Sequence, residues 1–371
     1  MPAQREDGQP PSDDIDASPR TGERLPFLPD IHRMRGLSIL LIVATHCMYA
    51  FQWEQHRWAE ELLYDLLDDS TVIFVFIAGY LFKHGAVRFS YGRYLGTKFR
   101  NVIAPYLLVS LPAIALELWH GGHVFDTPPL NELSLPAKVL HLYLYPGLHF
   151  DYALWFVPVV ALYYLAAPLL LWLSNRPRGY SILCVLVPLS ALMHRPTYSH
   201  DHNLALALYF LSAYVLGMWS CRYRERMSPL IDANLVLFAA VFVLVLCGHL
   251  LWSSHHGKYT FSEFMNFQGQ GVIDWIYLQK LLLLPVLLGL AWRFRHARLP
   301  WLDYLADVSF TVFFLHMYVI RLFEAALHWK FYEVDVVSYA LLIAAAVLVP
   351  CIIASSTRRM FPGWSRSLVG S

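Results

Sequence analysis

The chain has 371 residues, of which 57% are hydrophobic and 15% charged, and its formal net charge at neutral pH is +1. Soluble domains carry about 25% charged residues, so one soluble core could not hide this much apolar surface, and a lipid bilayer is the expected solvent. The near-zero charge and the lack of a basic stripe with interleaved aromatic residues exclude a nucleic-acid-binding protein.

The first thirty residues are rich in Pro, Asp, Ser and Gly and lack the apolar region of a signal peptide. We expect residues 1–30 to form a disordered cytoplasmic tail. A membrane domain over 31–357 and a basic cytoplasmic tail over 358–371 are expected to follow. The five cysteines are odd in number and show no CxxC spacing, which predicts neither disulfides nor a zinc site.

Ten apolar runs approach the length of about 20 residues that a spanning helix needs. They predict an all-α polytopic membrane protein with about ten transmembrane helices. Lys and Arg follow every second run, whereas the loops between are acidic or poor in both, so the positive-inside rule places both termini in the cytoplasm. The predicted spans are approximately 36–53, 70–84, 102–118, 153–174, 180–193, 203–219, 234–252, 275–293, 308–323 and 337–355.

The first run contains Arg35 and, eleven positions later, His46. At 1.5 Å per helical residue, this spacing carries the imidazole roughly 16 Å inward from the arginine, about mid-bilayer. The ninth run enters from the same side and places His316 roughly 12 Å deep. Polar groups at such depth are costly and indicate function, although hydrogen bonds that hold helices together are the alternative explanation.

Other polar residues carry weaker signals. The HDH stretch at 200–202 and the histidine pair at 255–256 could hold a metal on the outside, but they lack partners at fixed spacing, and we predict no metal site. Snorkelling to the interface explains the ionisable residues near the outer ends of the runs. These residues are Glu117, His249, Lys280, Arg321 and Glu324.

Arg35 and His46, with ten residues between them on the first predicted span, resemble a motif of the membrane acyltransferase-3 family. Later stretches are similar to further motifs of that family, with Ala78 in place of serine, Lys98 as the first basic residue and Phe314 in place of tyrosine. The resemblance covers residues 31–357. The matching stretches are FIAGYLF at 76–82, KFRNVIAPY at 98–106, DYALWFVPV at 151–159 and VSFTVFFLH at 308–316.

This resemblance implies a multi-pass O-acyltransferase of the bacterial inner membrane. Such an enzyme moves an acyl group, most often acetyl, from cytoplasmic acyl-CoA to a hydroxyl of an exopolysaccharide, capsule, O-antigen or lipid-linked oligosaccharide. Acyl-CoA is then a co-substrate, and no bound cofactor is expected. Polysaccharide-assembly proteins are further expected partners.

In this interpretation His46 acts as general base toward the sugar hydroxyl, or accepts the acyl group transiently. His316 orients the substrate or stabilises the oxyanion, and with Arg35 these histidines make up the predicted catalytic set. Trp155 is expected to stack on the acceptor sugar. The residues expected to hold the CoA phosphates are Arg35, Lys98 and Arg100.

Two other functions are compatible with ten spans and buried histidines. One is a proton-coupled transporter or flippase of glycans or small molecules, although we find no matched Gly/Pro-broken spans in two halves. The other is a non-catalytic subunit of a polysaccharide-assembly machine. Transfer of labelled acyl groups to a glycan would identify an enzyme.

Overall fold

The computed structural model describes residues 26–119, 130–144, 153–196, 203–261, 271–327 and 333–371. Most of the predicted N-terminal tail, the first two residues of the stretch at 151–159 and the HDH stretch at 200–202 lie outside the described residues. The remainder is almost entirely helical, which confirms the predicted all-α class. The one described sheet is a parallel pair of two-residue strands, β1 (Arg195–Pro196) and β2 (Thr260–Phe261).

The described part of the chain contains seventeen α-helices. The first nine are α1 (Pro29–Met48), α2 (Arg57–Leu67), α3 (Thr71–Gly85), α4 (Tyr91–Lys98), α5 (Ala104–Trp119), α6 (Leu135–Leu144), α7 (Phe156–Leu165), α8 (Ala167–Ser174) and α9 (Leu183–Met193). The next eight are α10 (Asn203–Arg222), α11 (Arg224–Ala233), α12 (Leu235–Trp252), α13 (Trp275–Arg293), α14 (Pro300–Asp307), α15 (Ser309–Leu327), α16 (Val336–Met360) and α17 (Ser365–Val369).

Seven helical stretches of the described residues are long and apolar enough to cross a membrane, and α7 with α8, bent by 59°, would make an eighth. The protein is therefore a multi-pass membrane protein, whereas the count of ten spans stays a prediction. Two predicted spans are not among the eight. The first run forms α1, whose opening turns are diluted by charged residues, and the fifth forms a shorter apolar helix, Gly179–Met193.

The helices α3 and α10 cross at backbone contact. A Cβ atom added at Gly79 would lie 1.9 Å from the carbonyl oxygen of Tyr214, and one at Gly217 would lie 2.0 Å from that of Phe76. Glycines at a helix crossing let the backbones approach closely, as in many membrane helix pairs. This crossing explains the glycine of the FIAGYLF stretch by packing.

The segment predicted as a basic C-terminal tail is folded against the bundle. The helix α17 packs against α5 and α16, and both Ser365 and Ser371 are buried. Gly370 has a φ of 82°, a left-handed conformation that suits glycine, and it turns the chain against Phe310 and Phe314 of α15. This turn keeps Arg366 next to the membrane domain.

We expect Gly79→Ala to destabilise the protein by at least the roughly 1–3 kcal/mol typical of overpacking, because its methyl group would overlap the α10 backbone. Gly85→Ala is the matched control, since a Cβ there meets nothing within 4 Å. Thermal unfolding of the purified protein in detergent measures the difference. Equal melting temperatures for the two variants would contradict the assigned crossing.

Candidate functional site

Gly36, which has no side chain, allows α1 to pack closely against α14. A Cβ atom at Gly36 would lie 2.7 Å from the carbonyl oxygen of Leu302, so only glycine lets the two helices approach this closely. The adjacent Arg35 donates a hydrogen bond from Nη2 to the carbonyl oxygen of Ala306 at 2.6 Å. The close approach therefore fixes the position of Arg35.

Arg35 lines a cavity of about 400 Å³ whose wall also includes Arg366. A second cavity, of about 700 Å³, is lined by Arg100 and again by Arg366. Arg100 is anchored by a 3.0 Å hydrogen bond from Nη2 to the carbonyl oxygen of Gly363. We call Arg35, Arg100 and Arg366 the guanidinium cluster. It brings together two of the three predicted CoA-binding residues.

The third predicted CoA-binding residue, Lys98, points elsewhere. Its ammonium nitrogen lies 5.4 Å from the ring centre of Tyr94 and 5.0 Å from that of Tyr164, within the range of cation–π attraction. It lines neither cavity of the guanidinium cluster. A direct contact between Lys98 and CoA stays a prediction, and Arg366 takes the corresponding place beside Arg35 and Arg100.

The two predicted histidines meet inside the bundle, with ring centres 5.2 Å apart. His316 is fully buried, and its Nδ1 lies 3.0 and 2.8 Å from the carbonyl oxygens of Val312 and Phe313. Because carbonyls only accept hydrogen bonds, Nδ1 carries the proton and Nε2 is left as an acceptor. That Nε2 has no partner among the described residues.

His46 is the histidine of this pair that reaches open space. It lines two cavities, of about 40 and 210 Å³, which share His46, Tyr49 and Lys258 and which we call the Lys258 cavities. His46 makes no hydrogen bond within the described part of the chain, whereas His316 lines neither cavity. An imidazole with both nitrogens uncommitted beside a polar cavity is suited to proton transfer.

The smaller Lys258 cavity is walled by carboxylates at the break between α2 and α3. Asp68 accepts hydrogen bonds from the Tyr49 hydroxyl at 2.6 Å and from the backbone N–H of Lys258 at 3.0 Å. Asp69 pairs with the guanidinium of Arg195. Opposite charges thus face one another beside His46, an arrangement that can bind the hydroxyls of a polar acceptor.

Trp155 lines the same cavity, but its ring is already in contact with other groups. The guanidinium carbon of Arg195 lies 4.7 Å from the centre of the indole, and Phe210 stacks on it at 5.7 Å. Trp155 is buried. A sugar could stack on the face beneath Arg195 only if the guanidinium moved aside, so stacking on Trp155 stays a prediction.

Behind Asp69, two buried carboxyl groups share one phenol. The Tyr209 hydroxyl lies 2.7 Å from Asp69 Oδ2 and 2.9 Å from Asp274 Oδ2. The hydroxyl has a single proton, so a carboxyl must donate in one of the two contacts. Burial, with the charge of Asp69 next in importance, raises the pKa of Asp274 well above its usual range. Asp274 is therefore the protonated partner, and Asp69, paired with Arg195, is the ionised one.

Two residues that we interpreted as snorkelling are buried inside the bundle, and that interpretation is wrong for both. Lys280 donates to the carbonyl oxygens of Asp65 and Leu66, each at 3.0 Å. His249 Nδ1 lies 2.9 Å from the Asp65 carboxylate. Neither contact was predicted from the sequence, because Asp65 lies far along the chain from both residues. The available signal was Asp68-Asp69-Ser70, adjacent carboxylates placed directly before the apolar α3.

Comparison with known families identifies the class of the protein. The family model described as an acyltransferase domain, that of the acyltransferase-3 family, matches residues 28–355. The chain belongs to this family. No curated protein and no solved structure matches the chain.

The protein is thus a membrane acyltransferase. Family membership favours an enzyme over the transporter and the non-catalytic subunit considered from the sequence.

We expect Asp69→Asn to lower the free energy of unfolding by roughly 3–5 kcal/mol, since it removes the charge that pairs with the buried Arg195. Asp274→Asn should change the free energy of unfolding little. Its amide N–H can donate to the Tyr209 hydroxyl as the protonated carboxyl does, and its amide oxygen can accept from the backbone N–H of Tyr277.

The raised pKa of Asp274 also means that folding binds a proton. Wild-type stability should therefore fall as pH rises from about 4 toward that raised value, and Asp274→Asn should flatten the decline. Chemical or thermal unfolding across pH measures both effects; equal losses in the two variants would refute the assigned protonation.

Proposed function

We propose that this acyltransferase transfers an acyl group, most often acetyl, from cytoplasmic acyl-CoA to a hydroxyl of a cell-surface glycan or its lipid-linked precursor. The observation that carries the proposal is the position of His46. It lies on the same helix as the guanidinium cluster's Arg35 and opens into the Lys258 cavities. One helix thus connects an anion-binding face with a polar pocket.

The guanidinium cluster supports the assignment of acyl-CoA as the acyl donor. CoA carries phosphates, and guanidinium groups bind phosphate through paired charge-assisted hydrogen bonds. With the nucleotide held at Arg35, Arg100 and Arg366, the pantetheine arm would run along α1. Ile42, which lies one helical turn nearer to Arg35 than His46 does, also lines the smaller Lys258 cavity.

In the chemical step His46 accepts the proton of the sugar hydroxyl while its oxygen attacks the thioester carbonyl. The carbon–sulfur bond then breaks, and the proton passes from His46 to the CoA thiolate. Lys258, which lines both Lys258 cavities and whose ammonium group donates to the Tyr49 hydroxyl at 3.1 Å, is the cation that we assign to the developing oxyanion. Transient acylation of His46 is the alternative course, and a burst of CoA release without acceptor would identify it.

His316 acts through His46 in this mechanism. It is buried against His46 and does not line the Lys258 cavities, so it contacts neither substrate directly. Its acceptor Nε2 can hold the His46 ring and favour the imidazolium formed during transfer. We therefore assign His316 as a positioning residue, in place of the direct contacts with substrate expected from the sequence.

The acceptor side favours a polyhydroxylated molecule. The wall of the smaller Lys258 cavity offers the Asp68 carboxylate, the Arg195–Asp69 pair and the hydroxyls of Ser70 and Thr71. This set matches the alternating donors and acceptors of a sugar better than an apolar alcohol. Glycans of the bacterial inner membrane, including exopolysaccharide, capsule and O-antigen precursors, fit this chemistry.

We expect His46→Ala to lower turnover by roughly 10²–10⁴-fold, the usual contribution of a general base. His56→Ala, which removes an exposed histidine of the segment Glu54–His56, is the control and should be silent. Deleting the gene and comparing O-acyl groups on surface glycans by NMR, with rescue by each variant, gives the measurement in cells. Normal acylation with His46→Ala would exclude the assigned base.

Arg366→Ala and Arg100→Ala should each raise the KM for acyl-CoA by roughly tenfold or more, since hydrogen bonds to charged groups contribute about 1.5–3 kcal/mol. An acyl-pantetheine donor, which lacks the nucleotide, should show no such difference. Arg178→Ala, at an exposed position, makes the same charge change away from the cluster. If all three variants raise the KM for acyl-CoA and the KM for acyl-pantetheine equally, the guanidinium cluster does not bind the nucleotide.

A further inference from the structure

A second constellation lies beside the Lys258 cavities, and the proposed reaction does not use it. Asp65 of α2 is fully buried, and its Oδ2 lies 2.9 Å from Nδ1 of His249 and 3.0 Å from Nδ1 of His256. All three atoms lie within 4.8 Å of one another. The three residues come from α2, α12 and the loop after α12, so the fold, rather than a local motif, brings them together.

These distances suit a metal ion. Zinc binds imidazole nitrogen at about 2.0–2.1 Å and carboxylate oxygen at about 2.0–2.2 Å. Ligand atoms around a tetrahedral ion at those bond lengths lie roughly 3.3 Å apart. The observed nitrogen–oxygen separations need to widen by a few tenths of an ångström, and the two nitrogens, which lie within 4.8 Å of each other, need to come closer. Rotations of the two histidine side chains can provide both changes.

The surrounding contacts resemble the outer shell of a metal centre. The second ring nitrogen of His249 lies 3.0 Å from the Tyr259 hydroxyl, and that of His256 lies 3.9 Å from a carboxylate oxygen of Glu61. The other oxygen of Asp65 accepts the backbone N–H of Gly257 at 3.0 Å. Metal-binding histidines usually donate their remaining N–H to such partners, which fixes the ring nitrogen offered to the ion.

The charges around the cluster are also compatible with a cation. Lys280 contributes one positive charge nearby, through its contacts with the Asp65 and Leu66 carbonyls. Asp65, Asp68 and Glu61 offset it with three carboxylates, and the histidines are neutral when they bind a metal. His255 is not part of the cluster, because its Nε2 lies 3.2 Å from the Lys258 carbonyl oxygen. The histidine pair noted in the sequence thus contributes one ligand, and His249 supplies the other.

We propose that Asp65, His249 and His256 bind a divalent transition-metal ion, zinc being the one their donor atoms favour, with water completing the coordination. The ion would be structural. It would fasten the loop after α12 to α2, and this loop carries Gly257, whose N–H bonds Asp65, and Lys258, whose N–H bonds Asp68. It would thereby hold Lys258 at the cavities that it lines.

The test is metal content, measured on the full-length protein purified in detergent. After incubation with ZnCl₂ and desalting, elemental analysis should find about one zinc per chain, and Co²⁺ in its place should give the visible absorption of a tetrahedral site. His249→Ala and His256→Ala should lose the bound zinc, whereas His255→Ala should retain it. Substoichiometric zinc in the wild type, or equal zinc in all variants, would overturn the proposal.

Two further measurements do not depend on how well the ligand variants fold. A chelator should lower the melting temperature of the zinc-loaded wild type. Tyr259→Phe, which removes the hydroxyl beside His249 Nε2 and keeps the ring, should weaken zinc affinity by about 10–100-fold. No response of the wild type to the chelator, or unchanged affinity in Tyr259→Phe, would count against the site. None of these readouts measures acyl transfer, so they fail or succeed separately from the proposed function.

Discussion

Buried carboxylates must be paired, and this requirement organises one half of the molecule. Asp65, Asp68 and Asp69 are all buried where α2 gives way to α3. Removing such charges from water costs several kcal/mol each unless partners replace the lost hydration. The partners come from distant parts of the chain and thereby fix the helices and loops that carry them. They are Tyr49, Arg195, Tyr209, His249, His256 and the backbone N–H groups of Gly257 and Lys258.

The helix α1 connects this network with the opposite, cationic side. Its first turns contact α14 through Gly36, and its last turn borders the carboxylates through Thr45, whose hydroxyl bonds the Leu67 carbonyl oxygen at 2.9 Å. These two contacts position α1 near both of its ends. The separation between Arg35 and His46 is therefore set by backbone geometry, which gives the proposed donor a fixed length to span. Backbone fixation of this kind is the preorganisation that acyl transfer requires.

Local sequence signals were sufficient for the all-α membrane class and the family, and they led to the two histidines that lie side by side. Hydropathy was less informative where charge and apolar residues mix: α1 has charged opening turns, and the fourth run bends at Ala166 between α7 and α8. The carboxylate network could not be predicted from the sequence, because Asp65 and His249 are 184 positions apart. A histidine near a helix end indicates snorkelling only when no buried acid exists to receive it, as the contact between His249 and the Asp65 carboxylate shows.

In the proposed function, the same network would recognise the acceptor. Arg195 lies over Trp155 and pairs with Asp69, so the aromatic ring is less available than the charges around it. Recognition would then depend on hydroxyls that replace or join existing hydrogen bonds, such as that of Tyr49 to Asp68. A site built to hydrogen-bond a hydroxyl rejects ligands that lack it far more strongly than an apolar surface rejects a change in size, because its buried polar groups are left unpaired. The arrangement of Asp68, Asp69 and Arg195 therefore favours selection by hydroxyl stereochemistry over selection by ring stacking.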